Sequence, residues 1–198
     1  MTRFDDIQGF VINLPQRVDR YKEFKEQLKW INDKPVFLME GQIDKPAFKG
    51  IGASHTNCIW YANEKGWEEV LILEDDCIFQ AEAKTYPYLI EALENAPNDW
   101  DILLGGIYNR KRTTKHNDWW DKVDTFCGLH FYIVSKRAYE KILTYEGLEH
   151  FDRWLSKQNL SIFVTSKYIA HQKDGYSDNV GMVTTYNTDH LDINKLLK

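Results

Sequence analysis

The segment Val70-Leu71-Ile72-Leu73-Glu74-Asp75-Asp76 constrains this chain most, because an apolar run ends there in three acids. Four consecutive apolar residues, two of them β-branched, are typical of a strand buried on both faces, and such strands belong to parallel sheets. Side chains alternate along a strand, so Glu74 and Asp76 are expected on one side and Asp75 on the other. Ligands of such sheets bind at the carboxyl ends of strands, which makes this acidic end the first place to expect chemistry.

Strand and helix patterns alternate through the first hundred residues. This alternation predicts βαβ units and an α/β fold with a mainly parallel central sheet flanked by helices. Apolar runs predict strands at 9–14, 35–39, 70–73, 101–104, 129–134 and 161–170. Helical spacing and capping residues predict helices at 17–30, 54–65, 82–95, 135–145, 149–157 and 191–197, with a flexible turn at 50–53 and a long loop at 107–124. A length of 198 residues fits one domain.

Two carboxylates that converge at a strand end make a hard oxygen site. Such a site suits Mg²⁺ or Mn²⁺, so Glu74 and Asp76 are candidate metal ligands. The alternative is a solvated acidic turn that caps the following helix.

Charge and cysteine content narrow the class of protein. The net charge of −5 argues against non-specific binding of the whole chain to nucleic acid or to a membrane surface. Three widely spaced cysteines form neither a zinc motif nor a disulfide framework, which favours a reducing compartment. The first residues lack the apolar stretch of a signal peptide, and no apolar run approaches 18 residues, so we expect a cytoplasmic protein without a membrane span.

Several motifs occur in an order that resembles glycosyltransferase family 25, which includes lipooligosaccharide and collagen galactosyltransferases. The resemblance covers about residues 10–180. It is carried by Val11-Ile12-Asn13-Leu14 with Arg17, Asp19 and Arg20, by Gly52-Ala53-Ser54-His55 with Trp60, Gly66 and 70–76, by 101–105, by Gly128-Leu129-His130 with 131–138, and by Asp152 before Trp154-Leu155.

The resemblance implies a GT-A fold with a nucleotide-sugar half at about 1–105 and an acceptor half at about 106–198. It implies inverting transfer of a hexose, with Mn²⁺ or Mg²⁺, from a nucleotide sugar that is usually UDP-linked to a hydroxyl of a glycan, protein or lipid-linked acceptor. Asp76 would then bind the metal directly, Glu74 would hold the ribose or a metal-bound water, and Asp75 would orient its neighbours. A late histidine, for which His171 is the best candidate, would complete the metal shell unless it is an exposed loop residue.

An inverting transfer also needs a base for the acceptor hydroxyl, and a carboxylate suits this role. Asp152 is the first choice, although it could instead cap a helix or pair with Arg153. Asp178 is the rival.

The remaining donor contacts are assigned to the first strand and to the predicted helix start. Asn13 and Leu14 would bracket the uracil. Arg17 and Arg20 could bind phosphate, or simply begin a solvated helix. Ser54 and His55 at a helix N-terminus would favour an anionic group, unless Ser54 is only the cap and His55 packs inward.

A basic and aromatic segment follows in the second half. It comprises Arg110-Lys111-Arg112-Thr113-Thr114-Lys115-His116 and the pair Trp119-Trp120, and suits an acceptor lid, an anionic acceptor such as lipid-linked sugar or DNA, or a plain solvated loop. The aromatic surplus clusters in this half, and we expect part of it to be sugar-stacking surface and the remainder to be core. The cluster comprises Trp119, Trp120, Phe131, Tyr132, Phe151, Trp154 and Tyr176. His130 is either a core residue or part of the site wall.

Two other classes of function stay open. The first is a glycosyltransferase that modifies a nucleic-acid base, which the basic segment permits and the acidic net charge disfavours. The second is a non-catalytic sugar- or nucleotide-binding module, or a metal-dependent phosphohydrolase on a similar sheet.

Overall fold

The structure is a computed structural model that describes residues 3–108, 113–178, 181–185 and 191–198. The strands in chain order are β1 Gln8–Asn13, β2 Phe37–Glu40, β3 Glu69–Glu74, β4 Cys77–Phe79, β5 Ile102–Leu104, β6 Thr113–Lys115, β7 Trp120–Val123, β8 Phe131–Ser135, β9 Ile162–Thr165, β10 Ala170–Gln172, β11 Gly175–Ser177 and β12 Met182–Thr184. Eight of them form the central sheet in the order β2-β1-β3-β8-β5-β9-β7-β6. All strands of this sheet except β7 and β8 run in the same direction, which confirms the expected fold class.

β3 lies in the middle of the buried part of this sheet. It pairs with β1 in parallel and with β8 in antiparallel orientation, so both of its edges are covered. Val70 and Ile72 pack into the apolar core on one face, whereas Leu71 and Leu73 pack into the core on the other. This alternation is what a strand buried on both faces requires, and it leaves polar residues only at the strand's ends.

Helices cover both faces of the sheet. They are α1 Val18–Gln27, α2 Ala47–Glu64, α3 Glu82–Glu94, α4 Tyr139–Ile142 and α5 Phe151–Ser156. α2, α4 and α5 supply Cys58, Ile142 and Leu155 to the core that contains Ile72. α1 and α3 supply Phe24 and Leu89 to the core on the opposite face. None of the helices in the described ranges combines the length and apolar composition that a membrane crossing requires.

The predicted turn at 50–53 is wrong, because α2 begins well before Ser54 and contains both glycines. Their lack of a side chain is needed for close packing. A Cβ on Gly50 would lie 2.3 Å from the carbonyl oxygen of Gln42, and one on Gly52 would lie 2.3 Å from the ring of Tyr145. The glycines therefore allow the helix to lie against its neighbours.

The second half differs from the prediction in three places. The segment 107–124 is not all loop, since β6 and β7 form a hairpin at the sheet edge. The strand predicted at 161–170 divides into β9 and β10, with Ser166 and Lys167 in a turn between them. No helix forms at 191–197, where the chain is held against the sheet by a bridge between Leu196 and Tyr168.

Candidate active site

Three acids stand where β3 ends, and two of them converge on one amide. The side-chain Nε2 of Gln172 lies 2.9 Å from Glu74 Oε2 and 3.5 Å from both carboxylate oxygens of Asp76. Gln172 ends β10, which pairs with β4 directly after the acids, and the amide of Lys173 donates to the carbonyl oxygen of Asp76 at 2.8 Å. The two carboxylates thus face one shared point, as the alternation of the strand predicts.

The hydrogen-bond partners of the Asp75 side chain are Asn13 and Arg20. Asn13 Nδ2 donates to Asp75 Oδ2 at 2.6 Å and to the carbonyl oxygen of Arg17 at 3.0 Å. Arg20 bridges two of the acids, with one guanidinium nitrogen 3.0 Å from Asp75 Oδ1 and the other 3.1 Å from Asp76 Oδ2. Asn13 therefore positions Asp75, and Arg20 supplies positive charge to the acidic strand end.

Glu74 is held by a buried histidine on α2. His55 Nε2 lies 3.1 Å from Glu74 Oε1, and its Nδ1 lies 2.8 Å from the hydroxyl of Tyr132. The ring of Phe151 stacks on the imidazole, which is 1% exposed. The residue that fixes Glu74 therefore lies within the length of a helix and not at its start.

This corrects the expectation that Ser54 and His55 begin a helix and bind an anion with its N-terminus. Ser54 Oγ accepts from the amide of Gln42 at 2.7 Å and donates to the carbonyl oxygen of Gly50 at 2.8 Å. Both of its hydrogen bonds serve packing, because the helix starts earlier than the pattern predicted.

Burial perturbs the titration of the three acids. Burial, followed by the charge of Glu74, raises the pKa of Asp76 to about 8. Burial also raises the pKa of Asp75 to about 6, against the opposing effect of Arg20. Burial disfavours ionised Glu74 as well, but the hydrogen bond and charge of His55 outweigh it and lower the pKa of Glu74. An added cation would favour the ionised forms of Asp75 and Asp76.

The acids form the floor of a cleft of about 840 Å³. One wall is largely apolar and comprises Leu14, Ile43, Phe48 and Ile51. The rest of the lining includes Tyr108, Cys127, Gly128, Leu129, His150, Phe151, Asp152, Arg153, Ser177 and Asp178. The size is ordinary for a small-molecule site, and the lining mixes apolar surface with a few converging polar groups.

Three further acids line this cleft, namely Asp44, Asp152 and Asp178. We call the two predicted base candidates, Asp152 and Asp178, the rim acids. Asp152 Oδ2 accepts from the amide of Gly128 at 3.1 Å, and its Oδ1 accepts from the amide of Arg153 at 2.7 Å. Asp178 Oδ2 lies 2.6 Å from a guanidinium nitrogen of Arg17. The structure therefore brings both predicted base candidates to the cleft.

Arg17 itself does not line the cleft. Its guanidinium is shared between Asp178 and Asp19, and these hydrogen bonds raise the pKa of Arg17 above its ordinary value. Of the two arginines expected to meet the donor, only Arg20 faces the cleft. Of the two residues expected to bracket the uracil, Leu14 lies on the cleft wall, whereas Asn13 is buried against Asp75.

His171 does not reach the floor either, although it neighbours Gln172. Its Nδ1 contacts the side-chain amide of Gln80, and its backbone pairs with Ile78. Successive side chains of a strand point to opposite sides, so only one of the two residues can face the acids. The structure places Gln172 there, and it is the floor residue that the sequence motifs missed.

His130 lies immediately behind the cleft wall and is fully buried. Its Nε2 lies 3.1 Å from the carbonyl oxygen of Ala170, and its Nδ1 has no hydrogen-bond partner within the described part of the chain. Burial lowers the pKa of His130 to about 4, so the ring is neutral at pH 7. Since a carbonyl oxygen only accepts, the proton is on Nε2 and Nδ1 is a bare acceptor.

Most of the aromatic residues expected on a sugar-binding surface belong to the core. Trp120 is buried and donates from Nε1 to the carbonyl oxygen of Ala92, and Phe131, Tyr132 and Phe151 are buried as well. Trp119 packs on Tyr88, and Trp154 packs on Tyr145 and Phe151. Tyr176 is exposed. Arg110, Lys111 and Arg112 of the predicted lid lie outside the described residues.

The floor fits a divalent cation whose remaining ligands come from a substrate. Within the described ranges no three or more His, Cys, Asp or Glu side chains surround one point. Mg²⁺ commonly takes only one or two carboxylates and completes its shell with water and substrate phosphates. Glu74 and Asp76 meet that requirement, since both carboxylates face one hydrogen-bond donor, the side-chain amide of Gln172.

No protein-family model matches the chain, and a search of curated proteins finds no match. Solved structures do match. The crystal structure of A197 from STIV aligns with a TM-score of 0.54 at 12% identity, over 94% of this chain and 96% of that one. This likeness shows a shared fold.

Two further similar structures have TM-scores below 0.5. UDP-glucose pyrophosphorylase complexed with UDP-glucose gives 0.48 at 9% identity, over 85% of this chain and 75% of that one. A glycosyltransferase involved in the glycosylation of the major capsid of PBCV-1 gives 0.47 at 13% identity, over 69% and 62%. These structures belong to a nucleotide-sugar enzyme and a glycosyltransferase. Membership of family 25 stays a prediction.

Proposed function

We propose that this chain is a divalent-metal-dependent glycosyltransferase that moves a hexose from a UDP-linked donor to a hydroxyl acceptor with inversion. The observation that carries the proposal is the convergence of Glu74 and Asp76 on one point in a cleft of about 840 Å³. This point lies at the carboxyl end of a buried parallel strand, where ligands of α/β sheets bind. The resemblance of the motifs to family 25 agrees with this placement.

The charge of the cleft argues for the metal. Among the described residues that line it, acids outnumber guanidinium groups: the acids are Asp44, Glu74, Asp75, Asp76, Asp152 and Asp178, and the guanidinium groups are those of Arg20 and Arg153. A diphosphate would be repelled by such a lining unless a cation accompanied it. When bound, Mn²⁺ or Mg²⁺ would act as a Lewis acid that neutralises the charge of the diphosphate leaving group.

The proposed roles of the floor residues follow from their partners. Asp76 would bind the cation directly, and Glu74 would hold the ribose or a water of the cation's shell. His55 keeps Glu74 in place, as its two hydrogen bonds to Glu74 and Tyr132 fix the imidazole. Asp75 anchors Arg20, which faces the cleft and can reach toward phosphate oxygens.

The two proposed halves of the chain would meet at this cleft. Residues 1–105 supply the floor and the apolar wall, on which Leu14 offers a surface for the uracil. Residues 106–198 supply the wall with Asp152, beside which a glycan, protein or lipid-linked acceptor would place its hydroxyl.

Asp152 is the better candidate for the base. A base must hold its carboxylate toward the attacking hydroxyl, and the amides of Gly128 and Arg153 orient both oxygens of Asp152. One oxygen of Asp178 is instead paired with the guanidinium of Arg17, which directs that carboxylate toward Arg17.

A thermal-shift panel of nucleotide sugars, each with and without Mn²⁺, tests the proposal. Ligands that bind the folded chain raise its melting temperature by mass action. We expect a UDP-hexose to raise it only when Mn²⁺ is present, and the same donor to be turned over faster with acceptor. Stabilisation by no nucleotide sugar in the presence of Mn²⁺ would overturn the proposal.

A further inference from the structure

Arg20 divides its guanidinium between two acids of different roles. One nitrogen contacts Asp75 and the other contacts Asp76, at 3.0 and 3.1 Å, and the side chains of the two acids are only 8% and 10% exposed. Arg20 also lines the cleft. Arg20 is therefore the cationic partner of Asp76, the residue to which the proposed function assigns the cation.

An ionised Asp76 needs a positive partner, because a buried carboxylate without a counter-ion is costly. A guanidinium on Asp76 Oδ2 and a divalent ion at the same carboxylate would repel each other strongly in such a poorly solvated place. Binding of a divalent ion at Asp76 must therefore weaken the contact of Arg20 with that residue. The contact of Arg20 with Asp75 need not break, because it is made to Asp75 Oδ1, and Asn13 holds the same carboxylate by donating to Oδ2.

We propose that Arg20 and the divalent cation exchange places at Asp76. With a cation at Asp76, one end of the Arg20 guanidinium would leave Asp76, while the other end would stay bonded to Asp75. The released end is then free to donate to an oxygen of the donor's diphosphate. This inference rests on the proposed function. It adds that Arg20 is an internal counter-ion, so that the donor binds with full affinity only when the cation is bound.

The chemistry of the side chain supports this double role. A guanidinium has five donors in a planar fork, so it can keep one carboxylate and accept a new anionic partner with the other edge. A lysine ammonium in the same place would be a single point of charge and could not bridge both acids in this way.

The test measures Mn²⁺ affinity without nucleotide, from the electron paramagnetic resonance signal of free Mn²⁺. We expect Arg20→Gln to bind Mn²⁺ about tenfold more tightly than the unchanged chain, because the competitor is removed. With saturating Mn²⁺, the same variant should bind UDP about tenfold more weakly. Arg17→Gln is the matched control for Mn²⁺, since Arg17 pairs with Asp19 and Asp178, and its Mn²⁺ affinity should stay within about twofold.

Tighter binding of Mn²⁺ together with weaker binding of UDP by Arg20→Gln would support the exchange. If Arg20→Gln does not fold, Arg20→Lys should give a smaller gain in Mn²⁺ affinity of the same sign. Equal or weaker Mn²⁺ binding by the Arg20 variants would overturn the exchange and leave the proposed function intact, provided that the unchanged chain binds UDP only with Mn²⁺. Absence of Mn²⁺ binding to every form, with or without UDP, would overturn both.

Discussion

The floor and the rim of the cleft both carry carboxylates, but the two groups are held in different ways. Glu74 and Asp76 on the floor lie beside each other, with Glu74 half-buried and Asp76 buried, and they meet the side chains of His55, Gln172 and Arg20. The rim acids Asp152 and Asp178 stand apart, and each is satisfied separately, by backbone amides or by Arg17.

This difference shows how one cleft can give carboxylates two roles. Crowded, desolvated acids favour any added positive charge, which suits a cation-binding floor. A separate acid with a fixed orientation suits proton transfer, because its geometry toward an incoming hydroxyl is set in advance.

The largest effect is expected for Asp76→Asn. The amide keeps the size of the side chain but removes the charge that would bind the cation, so donor turnover with Mn²⁺ should fall about 10³-fold. Initial rates at saturating Mn²⁺ and donor measure it. Asp19→Asn is the control, since Asp19 is an exposed acid, and it should keep most of the activity. Unchanged turnover of the Asp76 variant would contradict the assignment of the metal.

A loss of about 10²-fold in kcat is expected for Asp152→Asn, and only a few-fold loss for Asp178→Asn. Asp152 is oriented by backbone amides, whereas Asp178 is engaged by Arg17. Neither change should alter Mn²⁺ affinity by more than about twofold, because both acids lie away from the floor. The reverse order of the two losses in kcat would assign the base to Asp178.

His130 connects floor and rim, since its carbonyl oxygen accepts from the amide of Glu74 and its ring lies beside Gly128, which donates to Asp152. Its pKa is lowered by burial from 6.5 to about 4. The unfolded chain therefore binds more protons between these values, and stability contributed by neutral His130 is lost as the pH falls below 6.5.

Between pH 7 and pH 5 this residue alone should remove about 2 kcal/mol from the free energy of unfolding. Urea denaturation at both pH values measures the loss, and His130→Asn should show a pH dependence smaller by that amount. An equal pH dependence in the two proteins would mean that His130 is not held neutral in the folded state.

The smallest effect is expected for Gly52→Ala, where α2 passes the ring of Tyr145. An added Cβ would lie 2.3 Å from that ring and overpack the contact at a cost of about 1–3 kcal/mol, against a gain of up to about 1 kcal/mol for alanine in a helix. A net loss of about 1 kcal/mol in urea denaturation is expected. A gain in stability would show that Tyr145 moves away freely.

The floor could be predicted from the sequence because its signals are local. A run of apolar residues that ends in three acids determines burial, alternation and the end of β3 without reference to the rest of the chain. The helix at 82–95 and the strand at 101–104 were predicted from patterns of the same kind, and both are confirmed by α3 and β5.

The remaining features depend on tertiary packing. Gly50 and Gly52 are typical of a turn in isolation, yet they allow close contacts inside α2. The choice between His171 and Gln172 depends on which face of β10 meets the acids, which the residues themselves do not indicate. Trp120 lies in a sequence segment typical of an exposed sugar-binding surface, but in the folded chain it belongs to a hairpin strand and is buried in the core.

The central claim is that the floor of the cleft binds a cation together with a nucleotide diphosphate. The most direct test is an anomalous difference map from crystals grown with UDP and Mn²⁺. We predict one manganese peak within coordination distance of Asp76 and of the diphosphate oxygens, with Glu74 beside it. Bound UDP in this cleft without manganese at Asp76, or manganese and UDP bound elsewhere, would contradict the claim.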